Sequence, residues 1–277
     1  IIEYYRSLAE SFPEISFSVS FTLIEAEEEF LKIAKEMIDA EKVITTENLD
    51  INIENLLCEK IGAKSKFNNL RKFDIITMSN FLHVNEGENF RNAIPIINIF
   101  KNLLEEDGSL IVIEPGDQTS SKSLKRIRNE VVNNNVLNVF SPCIGIWEDK
   151  NKYNCQCFSM VRCFWKIPRI YEYLLTKGLS KARRIDVPFN YVVLRHDKTK
   201  KYEITRNSQH YVKLADLKQY SSQIVNVIAL IRTVIQKGNM VNIALCDGSC
   251  EFSEDSKAIW VSISEEQLQY FGINIPL

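Results

Sequence analysis

Four cysteines stand out as residues able to do chemistry together. Cys143, Cys155, Cys157 and Cys163 fall within 21 positions, separated by eleven, one and five residues. Soft thiolates so close together are suited to a zinc ion or an iron–sulfur cluster. The spacing fits neither a plain zinc finger nor a ferredoxin run. The alternative is a few buried cysteines packing as small hydrophobes. The chain holds seven cysteines in all, an odd number. That favours a metal site in a reducing compartment over a disulfide framework. Cys246 and Cys250 flank Asp247-Gly248-Ser249. They read as incidental to a turn, with a second metal half-site as the alternative.

A second group of candidate residues follows from the elements that must carry them. Residues 73 to 117 organise the chain. Asp74–Thr77 is an apolar run that reads as a strand buried on both faces. Phe90 to Leu104 has helical spacing at Ile94, Ile97, Phe100 and Leu104, and Asp107-Gly108 is the expected stop. Leu110–Ile113 is a second strand, closed by Glu114-Pro115-Gly116. Strand, helix and strand of this kind make a parallel βαβ unit. Ligands of open α/β sheets bind at the carboxyl ends of the strands. Ser79, Asn80, Glu114 and Gly116 therefore lie on the functional rim.

Upstream, Ile1 to Phe12 reads as a helix ended by Pro13, with Ile1, Tyr5, Leu8 and Phe12 on one face. Ser16 to Glu25 contains a strand ending at an acid. A helix from Glu27 to Ile38 would turn Phe30, Ile33, Ala34 and Met37 inward. Glu25 suits the two hydroxyls of a ribose, as acids at the end of a second Rossmann strand do. Alternatively Glu25, Glu27, Glu28 and Glu29 only complement the helix dipole. Lys42 to Phe67 reads as a short strand at Val43–Thr45 and a helix near Ile53–Ile61.

Downstream, a helix over Ser121 to Val132 carries Lys122, Lys125, Arg126 and Arg128. That basic face is solvated or contacts phosphates. Val136–Phe140 is a strand. A helix over Ile167 to Leu175 and a buried final strand, Phe189–Arg195, follow the cysteines. The metal site is thus an insertion within the sheet domain. His83 reads as a packing residue at a helix start, with a catalytic base as the alternative; Trp147 and Trp165 read as shields of the metal, with stacking on bases as the alternative; and Tyr191 reads as core. The polar stretch from Lys198 to Tyr211 is the expected linker. Beyond it, Val225–Ile235, Met240–Cys246 and Ala258–Ile263 read as strands joined by tight turns, with a helix over Glu265–Phe271. That pattern fits part of an OB-fold barrel.

Net charge is −2. Nucleic-acid contact therefore needs a local basic patch. No apolar run approaches the roughly 20 residues of a membrane span, and no signal peptide is visible.

The order "LLEEDGSLIVIEPGD", basic helix LKRIRNEV, Ser141-Pro142-Cys143, further cysteines, then FNYVVLRHD is more specific than any single piece. With FDIITMSNFLHV before it, the chain resembles the methyltransferase-like small-ribosomal-subunit family. That family includes the mitochondrial ribosome assembly factor and its bacterial and archaeal relatives. The match spans roughly residues 70 to 197, more weakly back to residue 1. The resemblance implies a Rossmann-like class I S-adenosylmethionine methyltransferase domain over residues 1–197. It implies a [4Fe–4S] cluster on Cys143, Cys155, Cys157 and Cys163, with zinc as the alternative. It implies Glu25 on the cofactor ribose, Ser79 and Asn80 beside the methyl donor, and the small ribosomal subunit or its rRNA as partner. A linker at 198–212 and an OB-fold-like domain at 213–277 complete the expected α/β architecture. The implied location is cytoplasmic, with the mitochondrial matrix as the alternative.

Two departures carry weight. The family spaces its cysteines differently, so Cys155 and Cys157 compete for one role. The glycine-rich loop after a first strand is missing; no two of the nine glycines are close enough in sequence to form it. The chain reads as cut at both ends, and these 277 residues are expected to bind S-adenosylmethionine poorly. No N-P-P-Y-type tetrapeptide and no cysteine pair of the C5-cytosine type is present. No catalytic residue is assigned. Two function classes stay open: an rRNA methyltransferase, or a methyltransferase-shaped RNA-binding assembly factor with a structural metal site. A third is a redox sensor whose cluster controls RNA binding.

Overall fold

The computed structural model describes residues 2–42, 46–62, 64–67, 69–82, 90, 93–143, 161–164, 169–179, 186–201, 211–223, 225–248, 259–264 and 266–267. The chain forms two compact units, Ile1–Phe67 and Asn68–Leu277.

The first unit is a βαβ arrangement preceded by a helix. Helix α1 is Ile2–Ser11, strand β1 Phe17–Glu25, helix α2 Glu28–Lys42 and strand β2 Leu49–Cys58. β1 and β2 pair in parallel, from Phe17 opposite Leu49 to Glu25 opposite Cys58. Ala9, Ile38, Leu49 and Ile51 are its buried centre, with Tyr5, Phe17, Val19 and Phe21 packed around them. Asn48 Nδ2 donates to the carbonyls of Ala9, Phe12 and Ile15 at 3.0, 3.2 and 3.0 Å. One amide thus satisfies the last turn of α1 and the loop after it, carbonyls a helix end leaves unpaired.

Two expectations for this unit fail. The stretch near Ile53–Ile61 forms most of β2, not a helix. Leu49 and Ile51 alternate with exposed Asp50 and Asn52, the period of a half-buried strand. Val43–Thr45 lies outside the described residues. On α2 the inward residues are Leu31 and Ile38. Phe30, Ile33 and Met37 are 60, 46 and 65% exposed. Both sets have helical spacing, so periodicity alone could not choose between the two faces. Phe12, expected inward on α1, is also exposed.

The second unit holds a five-stranded sheet. Its strands are β3 Phe73–Ser79, β4 Leu104–Pro115, β5 Asn138–Ser141, β6 Val161–Phe164 and β7 Asp186–Arg195. The order is β3-β4-β7-β5, with β6 also on β7. β3 and β4 are parallel. β7 runs antiparallel to β4, β5 and β6. β3, β4 and β5 therefore share one direction, and β7 opposes them from between β4 and β5. Helix α3, Ala93–Asn102, links β3 to β4, helix α4, Gln118–Asn133, links β4 to β5, and helix α5, Arg169–Thr176, lies between β6 and β7. Ile96, Ile97, Leu104, Leu110, Val112, Leu124, Ile127, Val131, Val192 and Leu194 are buried here. At about 1.5–3 kcal/mol for each large apolar side chain, this layer of α3 and α4 on the sheet is the main stabilising contact.

Among the described strands β3 is at the edge of its sheet, and it is not buried on both faces: only Met78 is buried along it and Ile75 is exposed. α3 ends before the expected stop. Leu104 pairs with Phe73 and Ser109 with Ile75, so the register shifts within 105–108. Asp107-Gly108 thus sits in an irregularity of β4. A Cβ on Gly108 would come 3.0 Å from backbone atoms of Glu105 and Phe73, so glycine permits the chain to crowd there.

Further on, a 3₁₀ turn spans Leu214–Tyr220, and strands β8 Leu230–Lys237, β9 Met240–Cys246 and β10 Ile259–Ser264 form an antiparallel meander. β8 starts later than the expected Val225. The buried Asp247 accepts from the Leu214 backbone N–H at 2.8 Å. The expected helix over Glu265–Phe271, most of the linker and Cys250 lie outside the described residues. No helix among the described residues is long and apolar enough to cross a membrane.

Candidate functional site

At the carboxyl end of β1, Glu25 stands opposite Cys58 of β2. Its Oε1 accepts from the backbone N–H of Ala26 at 2.7 Å and of Glu27 at 3.3 Å. These bonds fix the carboxylate at the strand–helix turn, on the rim where an open α/β sheet takes ligands. Oε2 makes no hydrogen bond among the described residues. One oxygen thus positions the group at the turn.

In the second unit, Ser79 and Asn80 end β3 and both are exposed. Asn80 has a positive φ of 51°, a left-handed conformation Asn tolerates better than most residues. Its N–H donates to Ile113 O at 2.8 Å. Next to it, the buried Glu114 accepts from the Leu82 N–H at 2.8 Å through Oε1. Asn190 of β7 donates Nδ2 to Glu114 O at 3.3 Å and to Pro115 O. Gly116 donates its N–H to Pro188 O at 3.1 Å, and a Cβ there would meet the Pro188 carbonyl carbon at 2.5 Å. The ends of β3, β4 and the start of β7 are thus tied together beneath Ser79 and Asn80. Asn190 was not singled out in the sequence; its signal was only a polar residue inside an apolar strand. Glu25 is placed in the first unit and Ser79 and Asn80 in the second. His83 lies outside the described residues.

α4 opens directly off this rim. Asp117 is its N-cap and accepts from the Ser120 N–H at 2.9 Å. Burial pushes the Asp117 carboxyl up, but hydrogen bonds from Ser120 and Thr119 outweigh it and hold the group below its ordinary value. The basic face of this helix divides. Lys122 and Arg126 are exposed and, with Gln118, Thr119 and Ser123, line a pocket of about 330 Å³. Lys125 and Arg128 are instead buried, 4% and 1% exposed. A fully solvated or phosphate-facing row of four cations is therefore corrected to two outward and two inward.

The inward pair meets Cys143. Arg128 donates Nη1 to Cys143 Sγ at 2.5 Å, and Lys125 Nζ lies 4.0 Å from the same sulfur. Cys143 is a free thiol, half-buried, just past β5. Cys163 lies on β6 opposite Val187, while Ser141 of β5 stands opposite Val193. Both strands therefore use the same edge of β7. Their register partners are six residues apart, about 20 Å of strand, and Cys143 continues from β5. Cys155, Cys157, Trp147 and Trp165 lie outside the described residues. Among the described residues no group of three or more His, Cys, Asp or Glu stands ready for a metal. At Cys143 two buried cations converge on one sulfur, and buried cations call for a negative partner.

Tyr191, expected as core, is half-buried, with its hydroxyl 3.3 Å from Ser141 Oγ. Beyond it, Arg195 of β7 pairs with Asp197 at 2.7 Å. The Arg195 hydrogen bond outweighs burial and, with bonds from Thr199, holds the Asp197 carboxyl well below the usual carboxylate range.

No family model matches the chain, and no curated protein does. Solved structures do show a partial likeness. StiE O-MT residues 961–1257 are 10% identical, with TM-score 0.35, over 72% of this chain and 75% of that one. The YcgJ protein of Bacillus subtilis is 13% identical, with TM-score 0.31, over 70% and 99%. The plantazolicin methyltransferase BpumL, solved in complex with SAH, is 11% identical, with TM-score 0.33, over 71% and 82%.

Proposed function

We propose that the chain is part of an S-adenosylmethionine-dependent methyltransferase acting on small-subunit rRNA, and that it carries a cysteine-ligated [4Fe–4S] cluster. The observation that carries the methyltransferase reading is the strand order β3-β4-β7-β5 with β7 alone reversed among them. A late strand turning back between two earlier parallel ones suits the class I methyltransferase plan that residues 73–117 resemble. The rim agrees with that reading, because acidic, small and amide side chains sit at the strand ends where a nucleoside is held.

S-adenosylmethionine, when bound, supplies an activated methyl group as a sulfonium. The chain's own residues bind and orient. Ser79 and Asn80 of the second unit would border the methionine end. Methyl transfer depends mainly on alignment of nucleophile and methyl, which the hydrogen bonds beneath Asn80 help to keep. The outward cations Lys122 and Arg126, beside their pocket, suit RNA phosphates, which bases of any sequence share. The cluster, if held by Cys143, Cys155, Cys157 and Cys163, would stay structural in this reading.

A second reading is favoured by the outward cations Lys122 and Arg126: a non-catalytic assembly factor that binds small-subunit RNA through this fold. The test is transfer of a labelled methyl group from S-adenosylmethionine to small-subunit rRNA. Label in the RNA supports the enzyme. RNA affinity that falls steeply with salt, without label, supports the assembly factor. Absence of both transfer and RNA binding sinks both readings.

A further inference from the structure

The antiparallel meander of β8, β9 and β10 has two unlike faces. Residues directly opposite on neighbouring strands share a face. Lys237, Met240 and Ser264 make one row across the three strands, Ile235, Asn242 and Ser262 the next, and Thr233, Ala244 and Trp260 the third. The opposite face holds the buried Val241 and Ile243, with Leu245 and Ile263 packed against them. On the first face Ile235, Met240 and Trp260 are 48, 40 and 49% exposed. The residue of β9 directly opposite Trp260 is only Ala244, so the indole has no large partner across the strand. Three large apolar side chains half in water on one small face form a patch of the kind that marks a docking site. The polar chemistry of the face is as specific. Ser262 Oγ donates to Asn242 Oδ1 at 2.6 Å. Asn242 Nδ2 lies 3.5 Å from the Ile235 carbonyl, a weak contact that leaves the amide donor capacity. Lys237 is exposed and is the one charged residue of the three rows.

We propose that this face of β8, β9 and β10 binds unpaired RNA, with Trp260 as the stacking surface for a base and Lys237 on a backbone phosphate. This rests on the reading of RNA as the partner, and deepens it by naming the strand state recognised and the residues that recognise it. Charge is the first reason: one cation and no carboxylate across the three rows suit a polyanion. The exposed indole is the second. Every base has a π-face, so stacking on an aromatic side chain holds a single strand whatever its sequence. The Asn242 amide adds a donor between the two, for a base or phosphate oxygen. From the Lys237 row to the Trp260 row the sheet runs four residues, about 14 Å, which suits a short stretch of nucleotides. A duplex keeps its base faces stacked inside, so this face discriminates single strands from paired ones.

The test uses the whole 277-residue chain and two probes, an oligouridylate of about 12 nucleotides and an RNA duplex of the same length. Two readouts are taken: affinity across a salt series, and tryptophan fluorescence. The single strand is expected to quench the parent's emission. The chain has three tryptophans, so Trp260→Phe assigns the signal: it keeps most of the affinity and removes the quenching. Trp260→Ala weakens single-strand binding roughly 5- to 100-fold and leaves duplex binding unchanged. Lys237→Met weakens single-strand binding and lowers the log–log salt slope by about 0.7. Lys32→Met, which removes an exposed lysine of α2, changes neither readout. If the parent binds RNA and Trp260→Ala holds the single strand as tightly, the stacking face is overturned while the RNA reading stands. If the parent binds neither probe, the RNA reading fails and the stacking face with it. A Trp260→Ala chain that changes its oligomeric state in light scattering, with RNA affinity intact, would make the face a contact between copies and overturn the proposal. Should Trp260→Ala not fold, Trp260→Phe and Lys237→Met decide. Quenching that persists in the first, with parent-like affinity and slope in the second, would overturn the stacking face.

Discussion

The backbone N–H of Leu82 donates to the buried carboxylate of Glu114, 2.8 Å away and 32 positions along the chain. Through this bond the end of β4 holds the turn that follows β3. Ser79 and Asn80 lie just ahead of that turn, so the rim is shaped by a residue beneath it.

Replacing Glu114 by Ala leaves the Leu82 N–H buried without its acceptor. The expected cost is about 1–3 kcal/mol. Glu114→Gln keeps an acceptor oxygen and should cost less. Thermal unfolding measures the total, and hydrogen exchange at Leu82 should accelerate in the Ala variant. Unchanged exchange there would mean the bond does not hold the turn.

Gly116 tolerates no side chain. Its added Cβ would sit 2.5 Å from the Pro188 carbonyl carbon and 2.7 Å from the Phe189 nitrogen. Both are backbone atoms, so relief requires β4 and β7 to part. Gly116→Ala should destabilise by about 1–3 kcal/mol, as overpacking does. A melting temperature equal to the parent's would show that the strands separate freely.

The outward cations of α4 give an ionic prediction. Lys122→Ala with Arg126→Ala should weaken binding to RNA of any sequence. It should also reduce the salt dependence of binding by about one unit of log–log slope for each phosphate no longer neutralised. Filter binding across a salt series measures both. A weaker affinity with an unchanged slope would point to a structural effect instead.

The end of β7 responds to acid. The Asp197 carboxyl is held well below its ordinary value, by the Arg195 hydrogen bond first and by Thr199. A carboxylate depressed in the folded state stabilises it above the unfolded value of about 4, and that contribution fades as pH falls further. Asp197→Asn should therefore cost about 1 kcal/mol at pH 7. The gap between parent and variant should close below about pH 4. A gap that stayed constant from about pH 7 to about pH 3 would refute the ion pair's role.

The strands were largely legible in the sequence, because β-branched and apolar runs such as Leu110–Ile113, set between turn residues, leave few alternatives. β1, β3, β7, β9 and β10 lie close to where the residues alone place them. What failed had specific physical causes. The β2 segment LDINIENLLC begins with strand alternation but continues into Glu54-Asn55-Leu56-Leu57, which also suits a helix. α2 carries two apolar sets, and only the packing of Leu31 and Ile38 decides which is inward. The division of the α4 cations depended on where Cys143 arrives, a tertiary fact invisible to charge counting. The Asn190–Glu114 and Leu82–Glu114 bonds were unreadable for the same reason, since they join residues 76 and 32 positions apart.

β5 and β6 both pair with β7, and neither has another strand partner among the described residues. During synthesis, β5 and β6 have no strand partner among the described residues until β7 has been made. Cys143 leaves the ribosome well before the strand that anchors its surroundings. The nascent chain must therefore carry its thiols through an interval of open sheet, when unpaired edges are most exposed to wrong partners.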